Sequence, residues 1–346
     1  MRNALLSLVT CLLTAFSLHA QIAMPDSIPA QEYQQKVAVV CVYDYQEAIV
    51  SKLSNSTEGE QPIHFLVAQR NGDNGFILNE KPTFDQMMHE VSTGRDLLLF
   101  VHGFGNTLNS VLENTTLLSW FYNVDLVIFA WACKEVEGKN IQNYKLSREN
   151  VVKSTPRFAE TVIDVHKYLE KHPKIKGTVM FHSLGNLFAK KLAHYTINHA
   201  MQFKPTFNNV VLNAPCVYER DHDIWSDLLR RFVKGNVYVT RHDNDGILKS
   251  AALFMEGGPL LGVSDIFTYS NYINYVDFTK ILARYRNNRV AHGYFYGESV
   301  REHPAIKQYF YDKVLHGEQP NWADTTHFLK MDDEPYTSYL LIDETL

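Results

Sequence analysis

The stretch "VMFHSLGNLF", residues 179–188, decides the reading of the fold. An apolar, strand-like run stops at His182-Ser183, and Leu184, Gly185 and a helix-forming segment follow. A serine at such a junction is either an ordinary turn residue or the tip of a sharp strand-turn-helix bend that holds its hydroxyl in the open. Small residues two before and two after let strand and helix approach closely. Gly185 supplies the second, whereas Phe181 stands where Gly, Ala or Ser is usual, so the pattern is half met.

Outward from this point, apolar runs of strand length alternate with segments of helical period. The runs cover residues 37–43, 64–69, 96–103, 124–133, 177–183, 209–215, 236–243 and 273–278. Several are Val-rich and continuous rather than alternating, as in strands covered on both faces. Between them, "RFAETVIDVHKYLEKH" (157–172) carries Phe158, Val162, Val165 and Leu169 at spacings of three and four, an amphipathic helix. Residues 84–94, 110–121, 185–201, 224–233 and 305–315 read the same way, while 53–62 and 134–150 read as polar loops. This alternation predicts an α/β fold: a mainly parallel sheet of about eight strands with helices on both faces. One domain over residues 31–317 is expected, with 318–346 as a packed C-terminal extension.

Composition agrees with an ordinary globular protein. The 346 residues are 45% hydrophobic and 21% charged, with a net charge of −5. No Lys/Arg stripe is present, which argues against nucleic acid as a partner. Residues 1–20 differ in kind: Arg2 precedes an uncharged apolar run, Ala4–Leu18, too short to span a bilayer comfortably but of the length of a signal-peptide core. Cleavage after Ala20, or after Ala15-Phe16-Ser17, would export the protein to the periplasm or beyond, with no stable membrane span left. Cys11 offers lipid anchoring as the lesser alternative. Cys41, Cys133 and Cys216 would remain, widely spaced and odd in number, and read as buried free thiols.

In an open parallel sheet, sites form beyond the carboxyl ends of the strands, where Ser183 is expected. The helix after it points its first amides back at the serine, so the Leu184 N–H is a candidate oxyanion donor. "LLLFVHGFGN" (97–106) offers a second, the Phe104 N–H, on a glycine-rich turn. His102 in that turn reads as a structural hydrogen-bonder, with a catalytic role as the lesser alternative.

HGFGN after one strand and HSLGN after a later one resemble the α/β-hydrolase superfamily, most of all a bacterial branch of largely uncharacterised serine hydrolases. The resemblance covers strand order over most of residues 37–312. It implies a triad in the chain order Ser, acid, His. After the run 236–243, "HDNDGILKS" (242–250) offers Asp245 as the acid, with Asp243 as the alternative; Asp245 better matches the branch's pattern of an Asn-Asp pair before an aliphatic run and Ser250. The competing reading of Asp245 is a helix N-cap. His292, in "VAHGYFYG", is the candidate base and resembles the branch's His-Ser-Tyr, with His303 and His327 as rivals. His182 reads as a wall of the site. A metal site from His242, Asp243 and Asp245 is weakly supported, and the chemistry requires neither metal nor organic cofactor.

The resemblance thus implies a serine hydrolase that cleaves a small-molecule or lipid-like ester, and residues 1–20 imply that it is exported. The alternative is a non-catalytic binding or surface protein of the same fold, for which Phe181 is the best argument. Trp131, Phe104 and Tyr294-Phe295-Tyr296 would supply apolar walls, and residues 251–272 part of the rim.

Overall fold

The computed structural model describes residues 36–43, 45, 62–71, 75–133, 140–198, 204–255, 258–263, 266, 269–285, 289–331 and 337–342. The leader-like residues 1–20 lie outside them.

The β-rich runs form strands β1 (Lys36–Cys41), β2 (His64–Arg70), β3 (Phe76–Lys81), β4 (Leu97–Val101), β5 (Asp125–Ala130), β6 (Gly177–His182), β7 (Phe207–Asn213), β8 (Val233–Arg241), β9 (Ile273–Asp277), β10 (Phe328–Lys330) and β11 (Thr337–Leu341). All join one sheet of eleven strands, in the order β10-β11-β9-β8-β7-β6-β4-β5-β1-β2-β3. From β11 across to β1 every neighbouring pair is parallel; antiparallel pairing is confined to the two ends. The expectation of about eight strands falls short by β3, β10 and β11. These are margin strands with polar or short sequences, so no continuous apolar run announces them. Beyond residue 317 the chain thus adds two strands to the same sheet.

The helices are α1 (Phe84–Val91), α2 (Leu108–Phe121), α3 (Asn140–Lys171), α4 (Asn186–Asn198), α5 (His222–Leu228), α6 (Gly246–Phe254), α7 (Arg289–His292), α8 (Glu298–Glu302) and α9 (Asp312–Leu315). On one face, Phe158 of α3 and Phe188 of α4 pack with Phe129 and Phe181 of the sheet. On the other, Phe310 meets Tyr238, and Thr178 Oγ1 donates to the Val314 carbonyl at 3.1 Å. The segment 140–150, expected within a polar loop, is instead the first third of α3. Its Tyr144 and Ser147 are buried, and α3 runs on through Pro156. Proline removes a ladder N–H and crowds the preceding turn, but buried side chains on both flanks outweigh it here.

The strand order carries the consequence for the site. From β4 the chain steps one way to β5 and then back to β6 on β4's other side. Such a switch point opens a crevice at the carboxyl ends of the two adjacent strands. Val101 at the end of β4 is in register with Phe181 of β6. The turns HGFGN and HSLGN therefore lie side by side.

Candidate active site

Ser183 leaves β6 with φ +54°, a left-handed conformation that costs a non-glycine residue about 1–2 kcal/mol. It persists because its surroundings fix it. A Cβ on Gly185 would lie 2.6 Å from the His102 carbonyl oxygen and 2.7 Å from that of Val101. A Cβ on Gly103 would lie 2.8 Å from Ser183 Cβ. Both glycines are needed for the two turns to touch. Phe181 takes the place of the other small residue without conflict, because its ring turns into the helix layer against Phe158 at 5.6 Å.

Asn186, fully buried one residue beyond, was not singled out from sequence. Its Nδ2 faces three carbonyls, those of Phe181 at 3.2 Å, Ser183 at 2.9 Å and Asn213 at 3.0 Å. It ties the elbow to β7. The Cys216 amide also donates to the Ser183 carbonyl at 3.1 Å. An Asn at the third position after a strand-ending serine is the one signal sequence offered for this clamp.

The turn after β4 is held by His102. The Trp131 N–H donates to His102 Nε2 at 3.2 Å, so the ring's hydrogen is on Nδ1, which donates to the Gly103 carbonyl at 2.9 Å. Burial pushes the imidazole down to about 4, keeping it neutral as this pattern requires. Trp131 stacks on the ring at 5.2 Å and is itself buried, part of the core rather than a pocket wall.

The candidate acid Asp245 caps α6 just after β8, and the candidate base His292 ends the short α7 that follows β9. Asp245 is fully buried, and its two oxygens are divided between tasks. Oδ1 accepts from the Ile247 and Leu248 amides at 3.0 and 2.9 Å, capping α6. Oδ2 lies 2.6 Å from His292 Nδ1. Asp245 is therefore the N-cap of α6 and, through its other oxygen, the partner of His292. Asp243 pairs instead with Arg241 on the surface side. His303 packs edge-on against Tyr285, and His327 binds Asp324 at 2.8 Å; neither meets Asp245. Among the described residues no group of three His, Cys, Asp or Glu is arranged to hold a metal ion, so His242, Asp243 and Asp245 do not converge.

His182 sits between the elbow and the acid–base pair, its ring centre 4.7 Å from that of His292 and 4.9 Å from that of Phe295. Asn213 Oδ1 accepts from the Thr240 hydroxyl at 3.1 Å and from the Tyr311 hydroxyl, so Asn213 Nδ2 faces His182 Nδ1 at 3.0 Å and donates to it. The reverse amide orientation would strand a buried hydroxyl hydrogen, a cost of about 1–3 kcal/mol. The hydrogen of His182 is thus on Nε2. Burial, with His292 and His102 nearby, keeps the ring well below its ordinary value and neutral.

The structure joins Asp245 to His292 directly and sets the turns that carry Ser183, Leu184 and Phe104 side by side at the ends of β6 and β4. Ser183 and His292 themselves share no hydrogen bond among the described contacts, a looseness common in sites without substrate. Phe104 packs edge-on against Tyr144 at 5.4 Å, and Tyr144 in turn faces Cys216 and Met255. Residues 258–263 pack on the loop after β7 through Leu261 N–H to the Val217 carbonyl, 2.9 Å, and Gly262 N–H to the Pro215 carbonyl, 3.1 Å. Among the described residues Cys41, Cys133 and Cys216 are buried thiols. No described helix is long and apolar enough to cross a membrane.

No curated protein matches the chain. Among solved structures, an uncharacterised protein from Capnocytophaga ochracea DSM 7271 is similar at 16% identity, over 71% of this chain and 58% of that one, with a TM-score of 0.29. The family model described as alpha/beta hydrolase of unknown function (DUF900) matches residues 80–299, which contain the elbow, the turn after β4, Asp245 and His292. The chain belongs to this family of alpha/beta hydrolases.

Proposed function

We propose that this protein is an exported serine hydrolase that cleaves a carboxylic ester through an acyl-enzyme. One observation carries the reading: a serine strained at φ +54° on a strand-to-helix elbow, next in sequence to His182, whose ring lies 4.7 Å from that of His292 in a buried aspartate–histidine pair. Backbone strain of this kind clusters at functional sites, and a strand-to-helix elbow is the turn that presents a nucleophilic serine beyond its strand. The leader-like residues 1–20 support export.

In the proposed reaction His292 Nε2 takes the Ser183 proton as Oγ attacks the ester carbonyl carbon. Asp245 Oδ2 accepts from the Nδ1–H, holds the ring's tautomer and stabilises its charged form. The oxyanion is held by the Leu184 and Phe104 amides. Collapse breaks the bond to the alcohol oxygen, which leaves with the proton from His292. Water then adds to the acyl-Ser183, with His292 again as base, and the acid is released. No metal or organic cofactor enters this sequence.

The test is labelling by a fluorophosphonate. Wild-type protein should label, Ser183→Ala should not, and Ser250→Ala should label like wild type, since Ser250 Oγ only returns a bond to the Gly246 carbonyl within α6. Folded wild-type protein that resists the probe would leave the non-catalytic reading in its place.

A further inference from the structure

Three polar atoms near the carboxyl end of β6 share an unusual state. Ser183 Oγ, His292 Nε2 and His182 Nε2 belong to buried side chains and have no hydrogen-bond partner among the described residues, yet none is enclosed by protein. An unpaired polar atom in a buried cluster calls for a reason, and an opening that admits substrate is one. The three are also close together. His182 precedes Ser183 in the chain, and its ring centre is 4.7 Å from that of His292. The proposed reaction uses the first two atoms and leaves His182 Nε2 without a task.

His182 is a fixed donor. Asn213 Nδ2 donates to its Nδ1 at 3.0 Å, which keeps the ring's hydrogen on Nε2. The Asn213 amide is itself set, its oxygen accepting from Thr240 at 3.1 Å and from Tyr311. Thr240 shares a 2.7 Å bond with the Tyr294 hydroxyl, which accepts from the Ala214 amide at 3.2 Å. All of these side chains are buried. A change of tautomer at His182 would break into this network, so the ring donates from Nε2 and is no base there. Phe295 packs 4.9 Å from the ring and limits its rotation.

The neighbouring ring decides what this N–H meets. In ester cleavage the proton on His292 Nε2 goes to the alcohol oxygen, so that oxygen must come to the His292 ring. The oxyanion already has the Leu184 and Phe104 amides. A donor beside His292 serves the departing oxygen, which gains negative charge as its bond to carbon lengthens.

We infer that His182 is a further catalytic residue, its Nε2–H donating a hydrogen bond to the alcohol oxygen of the ester as that oxygen departs. The bond from carbonyl carbon to alcohol oxygen breaks, the oxygen takes the proton held by His292 Nε2, and His182 keeps its own hydrogen throughout. The inference rests on the ester-hydrolase reading of Ser183 and adds a substrate class to it: esters of basic alcohols, which depart poorly without such help.

Phenyl acetate and p-nitrophenyl acetate test it. Both form the same acetyl-enzyme, and kcat/KM reports its formation alone. p-Nitrophenolate departs with little help, whereas the more basic phenolate needs it. His182→Phe keeps a ring in place and removes the donor. It should lower kcat/KM for phenyl acetate about tenfold, the worth of one hydrogen bond, and that for p-nitrophenyl acetate less than about threefold. His182→Gln, whose amide restores a donor, should recover part of the loss. Equal falls for the two esters, or no fall for phenyl acetate, would overturn the inference. His182→Phe also strands a buried Asn213 N–H, so a second measurement uses the unaltered chain. Long-range proton–nitrogen NMR correlation at neutral pH should show a neutral imidazole with its hydrogen on Nε2, assigned to His182 by its loss in His182→Gln. A hydrogen on Nδ1 would overturn the inference as well. Fluorophosphonate labelling separates the failures: protein that labels while both esters respond equally to His182→Phe keeps the serine reading and loses this one, and protein that neither labels nor cleaves either ester loses both.

Discussion

Asp245→Asn separates the two tasks that one carboxylate performs. Oδ1 caps α6 through two amides, and Oδ2 meets His292 Nδ1 at 2.6 Å. Asn and Asp are equivalent N-caps to within a few tenths of a kcal/mol, so the asparagine oxygen should keep the cap. Its amide group then faces Nδ1 as a donor. The imidazole must answer as an acceptor, which moves its hydrogen to Nε2, the atom that should take the Ser183 proton. In the Ser-His-Asp template this exchange costs about 10⁴ in rate, about 5.5 kcal/mol of barrier. Asp245→Ala differs: it loses the cap, about 1 kcal/mol, and leaves His292 Nδ1 buried without a partner, a further ~1–3 kcal/mol. The assay is the pseudo-first-order rate of fluorophosphonate labelling, beside urea unfolding of both variants. The expected result is a slow but stable Asp245→Asn and a slow, destabilised Asp245→Ala. If Asp245→Asn labels within tenfold of wild type, Asp245 does not orient the base. If it unfolds as readily as Asp245→Ala, the division of the two oxygens is wrong.

Further outcomes follow from the same geometry. Gly185→Ala sets a methyl 2.6–2.7 Å from two backbone oxygens of the neighbouring turn, so it should cost about 1–3 kcal/mol by urea unfolding and slow labelling by displacing the elbow; wild-type values in both assays would show that the two turns do not touch as described. Asp243→Asn, whose side chain pairs with Arg241 at the surface, should label at the wild-type rate, and a loss comparable to that of Asp245→Asn would return Asp243 as the acid. Stability should fall on mild acidification: burial holds His102 at about 4 against an ordinary 6.5, so between these values the unfolded chain binds a proton that the folded protein refuses. That difference amounts to at most about 3 kcal/mol, fully present above pH 6.5 and lost as pH falls toward 4, and buried His182, His222 and His242 act with the same sign. A urea midpoint that stays flat from pH 7.5 to 5 would contradict it.

Much of this protein was legible along the chain because the physics there is local. Continuous apolar runs such as Leu97–Val101 and Gly177–His182 announce strands buried on both faces, and a serine followed by Leu184-Gly185 announces an elbow. The margins were not legible. β3 has an exposed, polar-rich sequence, and α3 begins in a charged segment and runs through Pro156, so local signals pointed elsewhere and only packing reversed them. Asp245 and Asp243, two residues apart, have the same chemistry and similar turn-forming neighbours; only the family resemblance favoured Asp245, and the fold sets which carboxylate faces His292, 47 positions later.

The sequence by itself determined an alternating α/β layout, the bend at Ser183 and a short roster of downstream acids and bases, since hydrophobic period and backbone sterics act over a few residues. Tertiary structure alone decided the rest. It set β6 beside β4 so that two glycine turns meet, and divided the oxygens of Asp245 between a helix and an imidazole. Those outcomes depend on contacts between residues far apart in the chain, where distance and direction, not composition, set the energy.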